Sequence, residues 1–511
     1  MNTLEITNLS AMSASDKKKL SQSVCQFLDV AVTSSGRSSF YNTKEAQEQA
    51  ENVAHDNLLN QDKGLYEACL CLPTQDRARQ IGVVKILSGN GSVNSILKVR
   101  DESKIISHLC SSINPARLVK TFGSLRESKV NNARSRRIAL TTILSEKKLD
   151  WWAVKYRSKI KSILIHAWGV RFSSIIVSIL QKNKRNVKES GILETHIDQY
   201  AKNNSFLKLE EIYECILFAF GVEKDYNLPL FRAFFAARRN LSAGSILPQE
   251  VLEGIRSHFH KDVKKDEVLE LSKDSLTVRQ KLQKQTQAKE AGVEISLDFK
   301  NYSAKDLYIY AFQNGLTDEI QKILKEKAVE AAKLYEGWDS VGILIDASGS
   351  SFGSDTQRLK PIAVAQSIRD ALVESAVKKH SLRYAGGELK DGLIYPSGET
   401  DLATPLAELI QDEPDIIFVV SDGYENSPAG RFHEVLKKAR ELGLNTPIVQ
   451  INPVASSDSV TSGVRRLSSE AMLAPANDAP SIGFAYLRQL LESDPDKGLG
   501  LLVNKTNKLL K

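Results

Sequence analysis

The first 330 residues carry apolar side chains at every third or fourth position, which is the spacing of an amphipathic helix. The pattern recurs in stretches such as "ARLVKTFGSL", "IALTTIL" and "IYECILFAF", separated by polar breaks. Each such helix buries one apolar stripe, so many short helices in series must pack on one another. No motif repeats at a fixed period. Even so, the series favours an all-α, HEAT-like helical-repeat array over a compact bundle.

From Ser340 onward the pattern changes to short, continuous apolar runs. "SVGILIDAS", "PDIIFVVSDG" and "TPIVQINPV" are typical of strands buried on both faces, and "SLRYAGG" and "DGLIYPS" are shorter strand candidates. Helical patterns occupy residues 361–379, "PLAELIQ" and "FHEVLKKARELGL". This alternation predicts an α/β, doubly wound, mainly parallel sheet, in which ligands bind outside the carboxyl ends of the strands.

The predicted organisation is therefore multidomain. A helical region covers residues 1–330 and an α/β domain covers residues 335–511. Residues 275–300 are highly charged and poor in apolar side chains, and they fit either a solvated helix or a linker. At 511 residues with 42% hydrophobic and 26% charged residues, the composition is that of an ordinary globular protein.

Several features of the sequence predict a cytoplasmic protein. No stretch is apolar for the roughly 18 residues that a membrane span needs, and the polar N-terminus lacks the pattern of a secretory signal. The five cysteines are scattered and form no CxxC pair. We expect them to be reduced thiols in the core.

Oxygen-bearing side chains follow two of the predicted strands. Asp346, Ser348 and Ser350 lie at alternate positions just after the first apolar run, Asp422 follows "IIFVVS", and Thr400 precedes a predicted helix. The carboxyl ends of parallel strands meet at one edge, so two carboxylates and three hydroxyls should converge there. These hard oxygen ligands suit Mg²⁺ or another hard divalent cation. These segments contain no histidine or cysteine, which disfavours zinc.

Other chemistries fit the same residues less well. An aspartyl phosphatase needs Asp-x-Asp where this chain has Asp346-Ala-Ser348, and no Gly-x-Ser-x-Gly elbow or GxxxxGK[ST] loop occurs. No set of catalytic residues is evident, so the sequence predicts a protein without enzymatic activity. A Mg²⁺-dependent phosphotransfer or nuclease reaction at Asp346 and Asp422 stays open as a weaker alternative, as does a simple turn or helix cap.

The order Asp346-x-Ser348-x-Ser350, Thr400, Asp422 resembles the metal-ion-dependent adhesion site, or MIDAS, of von Willebrand factor A domains. The resemblance covers about residues 340–495. It implies that the two serines and the threonine ligate the metal, and that the aspartates act directly or through water. One coordination position would stay open for an outside ligand.

The segments "GETDLATPLAELI" and "DIIFVVSDGYEN" are similar to those of the Ro autoantigen, or TROVE-type, RNA-binding family. "LYEACLCLPTQDRARQIGVVKIL" and "DWWAVKYRSKIKSILIHAW" also resemble repeat helices of that family. Its members join an N-terminal ring of helical repeats to a C-terminal von Willebrand A domain. The resemblance implies a ribonucleoprotein that binds small noncoding RNAs, and the ends of misfolded RNAs in the hole of the ring.

A basic block within the helical region agrees with this expectation. Residues 117–188 contain 18 Lys plus Arg but only 3 Asp plus Glu, in a chain whose formal charge is +7. Trp151, Trp152, Tyr156 and Trp168 are interleaved with these cations. Lysine and arginine neutralise phosphates, and aromatic rings stack on unpaired bases. We assign RNA contacts to ten residues: Lys120, Arg126, Lys129, Arg134, Arg136, Arg137, Lys155, Lys159, Lys161 and Arg171.

Two alternatives stay open. The block is also compatible with a solvated positive face whose tryptophans belong to the core. The metal site is also compatible with a protein interaction scaffold that captures an acidic side chain of a partner as the last metal ligand. A second patch in "FRAFFAARRN" (231–240) would add Arg232, Arg238 and Arg239, while its apolar positions fit a core better.

Overall fold

The structure is a computed structural model that describes residues 2–34, 43–89, 91, 95–182, 184–333, 338–454 and 464–511. The chain forms two compact units. The first contains Met1–Gly82, Asn90–Leu109 and Phe299–Lys511, and the second contains Val83–Gly89 and Cys110–Asp298. These units do not follow the predicted division, because about the first hundred residues belong with the C-terminal region. The predicted start of the second domain, residue 335, lies outside the described residues.

The N-terminal part is helical apart from two short strands. Caps such as Ser13, whose hydroxyl accepts a hydrogen bond from the Asp16 amide at 3.1 Å, fix where its helices begin. Its elements are β1 (Leu4–Ile6), α1 (Ala14–Thr33), α2 (Lys44–Gln61), α3 (Lys63–Cys71), α4 (Asp76–Ser88), β2 (Leu97–Val99) and α5 (Glu102–Ser112).

The middle of the chain is helical throughout the residues described. Its helices are α6 (Pro115–Glu127), α7 (Ala133–Leu144), α8 (Leu149–Lys155), α9 (Arg157–Trp168), α10 (Val170–Leu180), α11 (Val187–Leu193), α12 (Gln199–Ala201), α13 (Leu209–Phe220), α14 (Pro229–Ala237), α15 (Gln249–Phe259), α16 (Lys265–Ser272), α17 (Val278–Gln283) and α18 (Gln285–Glu290). Helix α9 packs against α6, α7, α8, α10 and α13. The charged segment 275–300 forms α17 and α18 and buries Leu276, Ala288 and Ile295 in a small core.

The C-terminal part alternates strands and helices. Its elements are α19 (Ala304–Asn314), α20 (Asp318–Ala332), β3 (Trp338–Asp346), α21 (Lys360–Ser375), β4 (Ala376–Ala385), β5 (Glu388–Lys390), β6 (Leu393–Tyr395), α22 (Ala403–Gln411), β7 (Ile416–Val420), α23 (Arg431–Glu441), β8 (Ile448–Asn452), β9 (Met472–Pro475), α24 (Ile482–Ser493) and α25 (Pro495–Leu509). Short 3₁₀ turns occupy Leu9–Ala11, Leu241–Gly244, Lys273–Ser275, Phe299–Asn301, Gly349–Phe352, Asp355–Gln357 and Ala479–Ser481.

Five of these strands form a parallel sheet in the order β4-β3-β7-β8-β9, which confirms the predicted sheet type. Side chains alternate between its faces. Ile343 and Ile345 join a core with α21 and α24, whereas Leu344 and Ile417 join a core with α22 and α23. Burial on both faces explains why the central strands read as continuous apolar runs.

Two local predictions were wrong in detail. The predicted helix over residues 361–379 ends at Ser375, and the next ten residues form the edge strand β4. Five of the ten side chains of β4 are exposed and four are partly exposed, so its sequence lacks the apolar run that marks the central strands. The strand candidate "SLRYAGG" (381–387) contains the second half of β4, and the candidate "DGLIYPS" (391–397) contains β6, which pairs with β5 in a separate antiparallel hairpin.

Long-range polar contacts join the two ends of the chain within the first unit. The Asn507 side chain accepts a hydrogen bond from the Leu4 amide at 3.0 Å and donates one to the Leu4 carbonyl at 2.9 Å. Asp29 of α1 pairs with Arg488 of α24, and both side chains are buried. Helix α1 therefore packs on the same body as the parallel sheet.

All five cysteines are free thiols and buried, which confirms their expected place in the core. Within the described ranges, no single helix combines the length and the hydropathy that crossing a bilayer requires. Helices α9 and α10 meet that test only as a pair, and the chain bends by 111° between them.

Candidate functional site

The parallel sheet brings the two predicted aspartates to the same edge. Asp346 is the last residue of β3, and Asp422 follows β7 by two residues. The strands are hydrogen-bonded neighbours, with Ile345 level with Val420. Both carboxylates are buried, with exposed fractions of 2% for Asp346 and 5% for Asp422.

Both carboxylate oxygens of Asp346 accept hydrogen bonds from serine side chains. The Ser348 hydroxyl and amide donate to Oδ1 at 2.7 and 3.1 Å, and the Ser421 hydroxyl donates to Oδ2 at 2.7 Å. The Ser351 hydroxyl donates to the Asp346 carbonyl at 2.9 Å. The sequence analysis missed Ser421 and Ser351, although each lies next to a predicted ligand.

The remaining predicted ligands continue this network. The Ser348 and Ser350 hydroxyl oxygens are 3.3 Å apart, and the Ser350 side chain is hydrogen-bonded to Asp422. Four of the five predicted ligands are therefore linked in one chain, Asp346–Ser348–Ser350–Asp422. This chain joins two carboxylates and two hydroxyls at one edge of the sheet.

Thr400 belongs to a third loop that is tied to the other two. The Gly349 amide donates to the Gly398 carbonyl at 3.1 Å, which joins this loop to the serine loop. The Thr400 amide donates to the Asn426 side chain at 2.8 Å, and the Asn426 and Ser427 amides donate to the Thr400 carbonyl at 3.4 and 3.3 Å. Thr400 is buried beside the other loops, as the prediction requires.

Asn452 and Gly423 hold the Asp422 loop in place, and the sequence analysis missed both. The side-chain Nδ2 of Asn452 donates to the backbone carbonyls of Asp422 and Arg465, at 2.9 Å each. Gly423 has φ +87°, and a Cβ there would lie 2.5 Å from the Arg465 carbonyl oxygen. Only glycine fits both the backbone angle and the close approach.

The two carboxylates disfavour each other's charge. Burial raises the pKa of Asp346 to about 7, with a further contribution from Asp422, against hydrogen bonds from Ser348 and Ser421 that lower it. Burial also raises the pKa of Asp422, although hydrogen bonding to Ser350 lowers it. A bound cation would stabilise two buried carboxylates in the charged form.

The donor set fits a hard divalent cation. It offers two carboxylates and several hydroxyls, and nothing soft. Among the residues that the structure describes, no group of three or more His, Cys, Asp or Glu side chains could hold a metal. Hydroxyl oxygens would therefore have to complete the ligand set at Asp346 and Asp422.

Most of the predicted RNA contacts are exposed on the second unit. The exposed side chains are Lys120, Arg126, Lys129, Arg136, Arg137, Lys159, Lys161 and Arg171. Within the described residues, these eight cations form no salt bridge with a carboxylate. Arg134 and Lys155 are half-buried, and Lys155 pairs with Glu250 at 3.0 Å. We name the eight exposed residues the basic surface.

Part of the basic surface is gathered at one end of the helices. His166, near the end of α9, lies 3.0 Å from the Val130 carbonyl in the loop that follows α6. This contact brings the turn at Lys129 close to the corner between α9 and α10, where Arg171 is exposed. Cations from separate parts of the sequence therefore lie at the same edge.

The interleaved aromatic residues have different roles. Trp152 is buried in the core, whereas Trp151, Tyr156 and Trp168 are half-buried. The Lys155 ammonium lies 4.6 Å from the centre of the Trp151 ring. The tryptophans therefore mainly pack the helices, as the alternative interpretation expected, while the cations on the neighbouring turns face solvent.

No family model matches this chain, and no curated protein matches it either.

Proposed function

We propose that this protein binds RNA through the basic surface and that its α/β region holds Mg²⁺ at Asp346 and Asp422. The observation that carries the RNA proposal is the set of eight exposed cations, which have no salt bridge to a carboxylate among the described residues. Lys155, which is half-buried and paired with Glu250, has less to gain from a phosphate than these eight cations. Unpaired cations release counterions from RNA when they bind, which supplies sequence-independent affinity.

The resemblance to the Ro autoantigen family supports a more specific form of this proposal. In this form, the helices close into a HEAT-like ring that binds small noncoding RNAs and the single-stranded ends of misfolded RNAs. The protein is a cytoplasmic ribonucleoprotein without enzymatic activity. Incubation of single-stranded RNA with the protein and Mg²⁺ should leave the RNA intact, because no catalytic set accompanies the proposed metal ligands.

Co-purification tests the RNA proposal. The protein is isolated from its own cells and digested with protease, and the remaining nucleic acid is sequenced. We expect discrete small RNAs that are lost from the double variant Arg136→Glu/Arg137→Glu. The control is Lys438→Glu/Lys497→Glu, which makes the same charge change at two side chains that are each 75% exposed in the first unit. A wild-type preparation free of RNA would contradict the proposal.

The metal site supports a second candidate function, the capture of a protein. The residues that would hold Mg²⁺ are Asp346, Ser348, Ser350, Thr400 and Asp422. The ion would act as a Lewis acid with an open position for a carboxylate of a partner protein. The observation that favours this candidate is the pair of buried carboxylates at the sheet edge, with the Ser348 and Ser421 hydroxyls donating to Asp346.

A pull-down with and without chelator tests the capture of a protein. Partner binding should be lost with EDTA and in Asp346→Ala. It should be retained in Asp339→Ala, which removes an exposed carboxylate from the other end of the same strand. Partner binding that survives both EDTA and Asp346→Ala would refute a metal-dependent contact.

A further inference from the structure

A cluster of phenylalanine rings and arginine side chains lies in the second unit and includes Arg238 of the second patch predicted at residues 231–240. The innermost pair of rings in this cluster is buried. Phe218 of α13 and Phe231 of α14 stack at 4.2 Å with their planes 6° apart, and both rings are inaccessible to solvent. The cluster continues outward from this pair through rings that are only partly covered.

Two guanidinium groups lie against the rings of this cluster, and both are close to the partly covered Phe234. Arg157 lies 4.6 Å from the centre of Phe218 and 5.4 Å from Phe234. Arg238 lies 5.2 Å from Phe234 and 4.7 Å from Phe235. The Arg157 Nε donates to the Phe218 carbonyl at 2.9 Å, which fixes the plane of that guanidinium. Rings and guanidinium groups therefore alternate in a preformed arrangement.

Phe259 ends this arrangement at the surface. It is the last residue of α15, 50% of its surface is exposed, and Arg238 lies 5.9 Å from the centre of its ring. The next residue, His260, contacts the Ala237 carbonyl at 2.8 Å, which holds the end of α15 against the end of α14. The exposed ring of Phe259 is therefore held beside Arg238.

The surroundings of Phe259 are positively charged. Residues 231–240 and 257–262 together contain four cations, Arg232, Arg238, Arg239 and Lys261, against one carboxylate, Asp262. Arg238 does pair with Glu223 at 3.4 Å, but the Glu223 side chain is 75% exposed. Such a surface pair contributes little and exchanges readily for a phosphate.

We infer that Phe259 and Arg238 form a stacking platform for the unpaired bases of single-stranded RNA. The inference rests on the proposed RNA-binding function and adds a subsite to it. A base stacks on the exposed face of Phe259, and its flanking phosphates contact Arg238 and the neighbouring cations. Every base has a flat face, so the platform tolerates any sequence. A duplex does not use it, because its bases are already stacked inside the helix.

The test compares three RNA probes of equal length: a single strand, the same strand without bases, and a duplex. Phe259→Leu keeps an apolar side chain but removes the ring, and Phe259→Trp restores one. The control is Ile246→Ala, which changes another exposed apolar residue, 47% exposed, in the same unit. Affinities are measured by fluorescence anisotropy on the full-length protein.

We expect Phe259→Leu to weaken binding of the single strand by about fivefold or more, since one stacked base contributes at least about 1 kcal/mol. Binding of the base-free strand and of the duplex should not change. Phe259→Trp should restore the affinity, and Ile246→Ala should leave it unchanged.

Two results would overturn the platform while leaving RNA binding intact. One is a Phe259→Leu protein that binds the single strand like the wild type, while Arg136→Gln/Arg137→Gln binds it more weakly. The other is an equal loss for the single strand and the base-free strand, which would assign the effect of Phe259 to charge or folding. A wild-type protein that binds none of the probes would refute the proposed function itself.

Discussion

The salt dependence of RNA binding is the sharpest test of the basic surface. The basic surface has eight exposed cations, and each can contact one phosphate. For a single strand, the logarithm of the affinity falls with the logarithm of salt concentration with a slope of about −0.7 per contact. If all eight cations contact phosphates, the slope of log affinity against log salt concentration is therefore about −5.6. Between 50 and 200 mM salt, the affinity would fall by a factor of about 2000.

Arg136→Gln/Arg137→Gln should reduce this slope by a calculable amount. Removal of two contacts gives a slope of about −4.2, and the fall over the same salt range shrinks to about 300-fold. Arg134 is left unchanged because it is half-buried, and its replacement would risk the packing of α7. Anisotropy titrations of a labelled single strand at five salt concentrations measure both slopes.

The matched control separates local contacts from net charge. Lys438→Gln/Lys497→Gln lowers the charge by the same amount, at side chains of the first unit that already pair with Glu441 and Asp494. Its slope should equal that of the wild type. The reasoning fails if the control loses as much slope as the arginine variant, or if the wild-type slope is close to −1.

Four further predictions concern the proposed metal site and the core. In the absence of metal, the free energy of unfolding should fall as pH rises from about 4 to about 7. In this range the native protein keeps a proton on Asp346, whose pKa is about 7, whereas the unfolded chain has already released it. Mg²⁺ at 100 times its Kd should raise the free energy of unfolding of the wild type by about 2.7 kcal/mol and leave that of Asp346→Ala unchanged. Urea unfolding at pH 7.5 with and without EDTA measures both values. Gly423→Ala should weaken Mg²⁺ binding in calorimetry, whereas Gly430→Ala, at a similar φ of +85° but with no atom within 4 Å of the added Cβ, should not. Asp29→Ala should cost about 3–5 kcal/mol because, among the described residues, it leaves the buried Arg488 with only the partly exposed Glu492 as a carboxylate partner. Lys17→Ala removes another salt bridge of α1, to the exposed Asp496, and should cost at most about 1 kcal/mol in the same unfolding assay. Equal losses for the two variants would contradict this account.

The local pattern was sufficient to predict the central sheet and the place of Asp346 and Asp422 at one of its edges. Strands β3, β7 and β8 are buried on both faces, so their apolar runs are unmistakable. The site follows from parallel pairing, because adjacent parallel strands place Asp346 and Asp422 at one edge whatever the loops between them do. The edge strands were harder. The side chains of β4 are largely exposed, and β9 has only four residues, so neither has a distinctive pattern.

Interactions between distant parts of the sequence could not be predicted from local pattern. In the sequence, Ser421 is an ordinary serine at the end of a strand. In the structure, its hydroxyl donates a hydrogen bond to the carboxylate of Asp346, 75 residues earlier. The ring of Phe259 is followed by a histidine that ties it to α14, and that contact has no counterpart in the spacing of apolar residues. The pairing of Asp29 with Arg488 spans 459 positions, which is why the first hundred residues were assigned to the wrong part of the chain.

The division of the first unit between the two ends of the sequence has a consequence for biosynthesis. The N-terminal helices α1 and α3 leave the ribosome about 400 residues before α25, against which both pack. At a synthesis rate of about 5–20 residues per second, the apolar faces of α1 and α3 that pack on α25 stay uncovered for about 20 to 80 s. The second unit is continuous from Cys110 to Asp298 apart from one short segment, so it can fold during that interval. The nascent chain would therefore carry a folded insert between an unfinished N-terminal segment and the ribosome, a state in which chaperone protection is most needed.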